Sequence, residues 1–459
     1  MHRRDFIRTA SLGATLLGLR AERAHALDAA PPIPRPSPAQ LAWQQDELAM
    51  FIHFGVNTFT DREWGEGTED PQIFNPVALD ARQWARTARA AGFRAMILTA
   101  KHHDGFCLWP TRTTTHSVAS SPWRGGHGDV VREFVDACRA EGLKAGLYLS
   151  PWDRHEPRYG DSPRYNDFYI AQLTELLTQY GAIHEVWFDG ANGEGPNGRR
   201  QEYDWPRTWN TVRHLQPGAV MFSDAGPDVR WIGNERGAAG TTNWSTVRPE
   251  IVTVPGMSGD EVMRSLQDGD RDGTVWRPGE TDVSIRPGWF HHPAEDVRVR
   301  SADDLVQLYF TSVGRNSKLL LNVPPTREGR LHANDVASLK AMRAHLDALF
   351  AHDLARGATR LVHDLLPRSM QIEFTLPRRE TIGLLDLRED IAYGQRVASY
   401  LVEAHDDGTW RAIAHGTTIG HRRLERIAPI DVHRLRLRFV ITDASDKPVR
   451  LRLRCYAGT

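Results

Sequence analysis

With 459 residues, 40% of them hydrophobic and 25% charged, the chain has the composition of a soluble protein large enough for one big domain and a smaller one. Its 57 basic and 58 acidic side chains leave a formal net charge of −1, so no long-range field draws it to nucleic acid or to an anionic membrane surface. Neutral partners are expected instead, and 14 Trp residues offer rings that can stack on the apolar faces of a sugar.

Residues 1–26 read as a targeting segment. Arg3 and Arg4 form a twin-arginine pair followed by Phe6 and Ile7, and a mildly apolar run from Ala10 to Leu19 is too short to cross a bilayer. Ala24-His25-Ala26 fits a small-x-small cleavage site before Leu27. A Tat-type signal implies export of an already folded protein to a bacterial periplasm or beyond. The three cysteines, Cys107, Cys138 and Cys455, are too few and too far apart for a disulfide framework or a zinc cluster. Residues 27–40 carry five prolines from Pro31 to Pro38, which makes an extended linker.

After a first helix from Gln40 to Leu48, short apolar runs that stop at polar residues recur along the chain. They are Met50–Gly55, Ala95–Asp104, Lys144–Ser150, Glu185–Gly190 and Ala219–Asp224, with Thr281–Ile285 and Lys318–Val323 further on. A sixth strand is placed at Thr242–Val247. Between the runs lie helical patterns: Ala81, Trp84, Ala85 and Ala88 share one face, Asp129 caps a helix carrying Phe134 and Cys138, and Ser301 starts another. Strands that read as continuous apolar runs are buried on both faces, and strands alternating with helices make a parallel sheet. Eight of them predict a (β/α)8-like TIM barrel over residues 41–352. From residue 353 to 459 the period changes to two, as in His433–Phe439 and Val449–Cys455, which predicts an antiparallel β-sandwich whose arginines cover a solvated face.

In such a barrel the C-terminal strand ends open on one face, where active sites lie. Asp, Glu, His and Trp gathered there in an exported, near-neutral protein point to glycoside hydrolysis by two carboxylates. Asp189, closing the run Glu185-Val186-Trp187-Phe188, is the candidate nucleophile because a strand end is rigid. Glu235, in the long connection after the fifth strand, is the candidate acid/base. Glu66, Glu194, Glu202 and Glu280 compete with it. His53, His102 and His103 suit sugar hydroxyls, since a neutral imidazole both donates and accepts. With Asp104 the same histidines could instead hold a metal, although adjacent strand residues point to opposite faces.

These residues also carry a family resemblance. Phe51–Gly55, Lys101–Phe106, Leu147–Asp153, Val186–Gly190, Gly233–Glu235, Asp282–Trp289 and Leu321–Pro325 resemble, in order, motifs of the α-L-fucosidases of glycoside hydrolase family 29. The resemblance implies a retaining mechanism with Asp189 as nucleophile and Glu235 as acid/base of the branch acting on α-1,3/1,4-linked fucose of branched glycans. It implies fucose-hydroxyl contacts from His53, His102 and His103. It also implies a pocket lined by Tyr148, Trp187, Arg286 and Trp289, with a ring against the C5 methyl, and acidic pocket positions at Glu66 and Glu280. No cofactor and no metal are expected, and the partner is a fucosylated oligosaccharide or glycoprotein glycan. Other readings are a relaxed fucosidase taking α-1,2 or α-1,6 linkages, a metal-dependent hydrolase, and a fucose-binding protein without turnover.

Overall fold

The apolar runs become strands with little exposed side chain on either face. The computed structural model describes residues 33–366, 368–442 and 449–458; the expected export segment lies outside them. Strands β1 (Leu48–Ile52), β2 (Ala95–Lys101), β3 (Lys144–Leu149), β4 (Glu185–Trp187) and β5 (Val220–Phe222) pair in parallel, each separated from the next by a helix. β6 (Arg230–Trp231) follows, and β7 (Thr246–Val247) and β8 (Val275–Trp276) form a separate two-stranded ribbon. β9 (Gly279–Ser284) and β10 (Ser317–Asn322) return to the barrel. The eight-stranded order is β5-β4-β3-β2-β1-β10-β9-β6, and a parallel bridge between Phe222 and Val229 brings the two ends together. Register centres on β1, where Met50 lies opposite Met96 of β2 and Leu321 of β10.

The helices form where capping and amphipathicity agree. Asp129 Oδ1 accepts from Arg132 N at 2.8 Å and starts Val130–Ala140, which buries Val131, Phe134 and Cys138 against the strands. Ser301 and Asp304 make a reciprocal capping box at the head of Ala302–Thr311. Gly181, with φ 72°, reverses the chain after Ser162–Gln179, and a Cβ there would stand 2.6 Å from Arg139 Nη2.

The sixth barrel strand is Arg230–Trp231, not Thr242–Val247, whose last two residues belong to the ribbon. The reason lies in Arg230. It is buried, its guanidinium donating to the carbonyls of Leu266 and Arg277 and to Asn243 Oδ1, so a charge interrupts the apolar signal of a strand only two residues long.

Beyond Ala333–Leu349, six antiparallel strands follow: β11 (Thr359–Leu366), β12 (Ser369–Glu389), β13 (Val397–Asp406), β14 (Thr409–Gly416), β15 (Arg423–Ile441) and β16 (Leu451–Tyr456). β12 and β15 are long, and their pairing shifts register between Thr375 and Glu380, where the sheet folds over a core that includes Phe374, Leu385, Leu437 and Leu453. The arginines on the outer side are paired rather than merely solvated: Arg436 Nε donates to Glu403 Oε2 at 2.6 Å and Arg434 Nη2 to Glu373 Oε2 at 2.9 Å.

Glu47, just before β1, ties this sheet to the barrel. Its carboxylate accepts from Arg422 Nη1 at 2.9 Å, Arg388 Nη1 at 3.1 Å and Tyr309 Oη at 2.8 Å. Burial would raise its pKa, but the Arg422, His421 and Arg388 charges win and hold the carboxyl far below the usual range. A depressed carboxyl stabilises the fold above its ordinary pKa of about 4.3, and that contribution disappears as pH falls. Glu47→Gln is therefore expected to cost about 3–5 kcal/mol at pH 7. Urea unfolding should show the gap narrowing as pH is lowered from about 4 toward 2; an equal gap across that range would remove this role from Glu47.

Candidate active site

The side chains at the C-terminal strand ends converge on one cavity of about 390 Å³, lined by His53, Glu63, Trp64, His102, His103, Trp187, Asp189, Glu235, Asp282 and Trp289, among others. Asp189 stands two residues beyond β4, with its side chain 26% exposed. Ala191 N donates to its Oδ1 at 2.7 Å, Tyr148 Oη from β3 donates to its Oδ2 at 3.0 Å, and His103 Nε2 lies 3.8 Å from Oδ2. Burial and the Asp189 charge push the Tyr148 phenol well up, so it stays protonated and keeps donating. This carboxylate is held by donors on two sides while one edge faces the cavity.

Glu235 enters the same cavity four residues after β6. It sits in a turn near the start of the irregular connection between Trp231 and Thr246. The turn is pinned by Asn234, whose Nδ2 donates to Ala238 O at 2.9 Å and whose Oδ1 accepts from Arg236 N at 3.1 Å. The residue remains open to solvent at the mouth, yet partial burial of its carboxyl raises its pKa, reinforced by the Asp189 and Glu63 charges and offset in part by Trp289. Asp189 and Glu235 thus share one cavity in unlike environments, one carboxyl fixed by donors and one biased toward protonation.

The histidines are neutral, and their hydrogen bonds fix their tautomers. Burial lowers His53 to about 3, and lowers His102 and His103 as well. Asn322 Nδ2 donates to Trp289 O at 2.7 Å and Ser284 Oγ at 3.0 Å, so its Oδ1 must accept from His53 Nδ1 at 2.9 Å. Ser150 Oγ donates to Trp152 O at 2.6 Å and therefore accepts from His103 Nδ1 at 2.8 Å. Both rings retain a bare Nε2, an acceptor for a hydroxyl. His102 Nδ1 accepts weakly from Asn57 Nδ2 at 3.5 Å, which leaves its Nε2 as a donor. Ser150→Ala is expected to strand the buried His103 N–H, costing about 1–3 kcal/mol of stability. It should also raise KM for the substrate roughly fivefold, the worth of one net hydrogen bond; an unchanged KM would mean that the His103 tautomer does not matter to binding.

Lys101 and Asp104, from the same polar stretch, are structural. Lys101 Nζ donates to Asp153 Oδ2 at 2.8 Å and Gln172 Oε1 at 2.9 Å, and Asp104 Oδ1 accepts from Phe106 N at 2.7 Å. Among the described residues no group of three His, Cys, Asp or Glu is placed to hold a metal ion.

Three expected pocket residues lie elsewhere. Glu66 is exposed and pairs with Arg62 at 2.6 Å, whereas Glu63 lines the cavity. Glu63 accepts from Trp289 N at 2.8 Å, Phe290 N at 3.2 Å and His292 Nε2 at 2.7 Å, so it clamps the Trp289 loop. Gly288 is required there, since a Cβ would come within 2.3 Å of Glu63 Oε1. Glu280 lies beneath the site: its Oε1 accepts from Trp187 Nε1 at 3.0 Å, so a buried acid props the Trp187 ring, its pKa pushed well up by burial and the neighbouring Glu185 charge against the pull of Lys318. Arg286 turns away, donating to Asp335 from Nη2 at 2.9 Å and to Asp296 from Nη1 at 2.8 Å. The remaining expected residues, His53, His102, His103, Tyr148, Trp187 and Trp289, surround Asp189 and Glu235.

Asp282 went unassigned in the sequence although it reaches the cavity. On β9 it points the same way as Glu280 but two residues nearer the mouth, about 6.6 Å higher. Its Oδ1 accepts from Trp231 Nε1 at 2.8 Å, and burial together with Glu235 pushes its pKa well up.

The profile of the family described as "Alpha-L-fucosidase" matches residues 34–349, the whole barrel. The chain belongs to the α-L-fucosidases of glycoside hydrolase family 29. It is 44% identical to the Arabidopsis thaliana protein "Alpha-L-fucosidase 1" over 447 residues, covering 91% of this chain and 87% of that one. A glycoside hydrolase family 29 member from an unknown rumen bacterium superposes with a TM-score of 0.85 at 41% identity, over 94% of this chain and 78% of that one. The Ruminococcus gnavus GH29 fucosidase, solved in complex with fucose, superposes with a TM-score of 0.84 at 32% identity, over 94% and 97% of the two chains. The barrel and antiparallel sheet of this α-L-fucosidase are therefore the architecture of solved relatives, and its substrate class is a fucosylated glycan.

Proposed function

We propose that this α-L-fucosidase is a retaining exo-enzyme that releases terminal α-1,3- or α-1,4-linked L-fucose from branched oligosaccharides, with Asp189 as nucleophile and Glu235 as acid/base. The observation that carries this reading is the pair itself. Asp189 is held by Tyr148 and Ala191 with one edge toward the cavity, while Glu235 enters from β6 with its pKa raised. A carboxylate poised to attack and a carboxylic acid poised to donate are the two groups that a double displacement needs.

Fucose would bind against His53, His102 and His103, two ring acceptors and one donor, with Trp187, Trp289 and Phe51 presenting carbon to the C5 methyl. Asp189 attacks C1 as Glu235 protonates the departing oxygen, and Glu235 then takes a proton from the water that releases fucose. Because the Glu235 pKa is raised, the basic limb of kcat/KM should lie above the range of an ordinary glutamate. Linkage is tested with α-1,2-, α-1,3-, α-1,4- and α-1,6-fucosyl oligosaccharides. Release from the 1,3 and 1,4 members alone is expected, and equal release from all four would favour the relaxed reading. Export through the twin-arginine segment is part of the proposal; fractionation of a bacterium expressing the full chain should find activity in the periplasm or medium, lost when Arg3 and Arg4 become lysine.

A further inference from the structure

His292 stands outside the catalytic pair, yet its ring is the far end of a chain of contacts that reaches Glu235. Its Nδ1 lies 2.8 Å from Asp61 Oδ1 and its Nε2 2.7 Å from Glu63 Oε1. An ionised carboxylate only accepts, so facing two of them both ring nitrogens must donate, and a neutral imidazole has one N–H. The geometry therefore fits an imidazolium held between two carboxylates.

What that imidazolium holds is the segment carrying Trp289. Glu63 Oε1 also accepts from Phe290 N at 3.2 Å and its Oε2 from Trp289 N at 2.8 Å, so one carboxylate collects three donors from residues 289–292. The packing is close: a Cβ on Gly288 would stand 2.3 Å from Glu63 Oε1 and 2.9 Å from His292 Cδ2. The Trp289 ring lies against the His53 ring, centroids 5.1 Å apart, and the Trp289 side chain hydrogen-bonds that of Glu235. Through Glu63 and Trp289, His292 thus bears on both His53 and Glu235.

The charge on the ring follows from its neighbours. Asp61 and Glu63 face it from the segment after the short helix Val56–Thr60, and on its own segment Glu295 accepts from Gly288 N at 3.0 Å. Burial of the ring would lower its pKa, but the bonds to Asp61 and Glu63, with their charges, win and raise it. Below the raised value both nitrogens donate, and the bonds are charge-assisted. Above it the ring keeps one N–H, and one of the two carboxylates meets a bare lone pair instead of a donor.

We propose that His292, as an imidazolium, is a positioning residue for fucose binding, holding Glu63 and through it the Trp289 segment in place. This rests on the fucosidase reading above. The test is the inhibition constant of L-fucose against hydrolysis of an aryl α-L-fucoside, from about pH 5.5 to 9.5, for wild type, His292→Gln and Asp61→Asn. L-Fucose carries no group that titrates in this range, so a step in its constant belongs to the enzyme. The wild-type constant should be low at the acid end and rise about tenfold through one titration as the second N–H is lost. His292→Gln has one donor end, so its constant should be high and flat with pH. Asp61 has a half-exposed side chain that does not line the cavity. In Asp61→Asn the amide oxygen still accepts from Nδ1, so the acid-end constant should stay at the wild-type value. Without the Asp61 charge the imidazolium is less favoured, and the step should move down by about one pH unit. A merely structural His292 would not move that midpoint. A flat wild-type profile, a step that survives in His292→Gln, or an unmoved midpoint in Asp61→Asn overturns the inference while hydrolysis of the aryl fucoside still stands. Failure to hydrolyse the aryl fucoside at any pH overturns the activity on which the inference rests.

Discussion

Asp189→Asn is expected to lower turnover of an aryl α-L-fucoside by about 10⁴-fold or more, because an amide cannot form the glycosyl ester and no other group can replace it. The fold should be intact. Asparagine has the same shape, so Ala191 N can still donate to its Oδ1 while the Tyr148 hydroxyl turns to accept from its Nδ2. Stability should even rise slightly, since the Asp189 charge now pushes up Asp224, Asp282 and Glu235, and removing it relieves that crowding. Thermal unfolding beside the rate assay checks both parts. A variant that is inactive because it is unfolded, or one that retains wild-type turnover, would contradict the assignment.

Glu235→Gln should separate substrates by their leaving groups. A sugar alkoxide needs a proton as it departs, so loss of the acid should cost about 10²–10⁴-fold on an oligosaccharide. A nitrophenolate leaves unaided, and the first step on such a fucoside should be largely spared. A burst of nitrophenol followed by slow turnover is the expected trace, because the same residue is missing as a base when the intermediate is hydrolysed. The basic limb of the kcat/KM profile should also disappear with the raised carboxyl. Equal loss on both substrates would point to a structural role, and Asp282, the other pushed-up carboxyl of the cavity, would then be the next candidate.

The barrel was legible in the sequence because parallel strands buried on both faces leave continuous apolar runs, and their polar last residues mark the mouth. What failed to show was set by tertiary contacts. β6 is two residues long and carries a buried Arg230 whose partners come from residues 243, 266 and 277, so no local period could reveal it. Glu63 and Glu66 stand three apart in one loop, and only the backbone N–H groups of Trp289 and Phe290, more than 200 residues on, decide which one turns inward. Glu280 and Asp282 are the same face of one strand at two depths. The alternation was readable, but the depth at which the cavity begins was not. Arg286 lies just past a strand end, where a pocket residue was expected, yet Asp335 and Asp296 draw it outward. The histidine cluster was visible as residue types. Its acceptor and donor pattern comes from Asn322, Ser150 and Asn57, on three other elements.

The central claim is a double displacement through Asp189 and Glu235, which requires carboxyl oxygens about 5–5.5 Å apart and returns fucose in its original anomeric form. The direct measurement is a proton NMR time course of the mature enzyme acting on a Lewis-type oligosaccharide with α-1,3- or α-1,4-linked fucose. The account predicts α-fucose as the first anomer seen, with β-fucose growing in later by mutarotation. β-Fucose appearing first would mean inversion by a single displacement and would contradict Asp189 as the nucleophile.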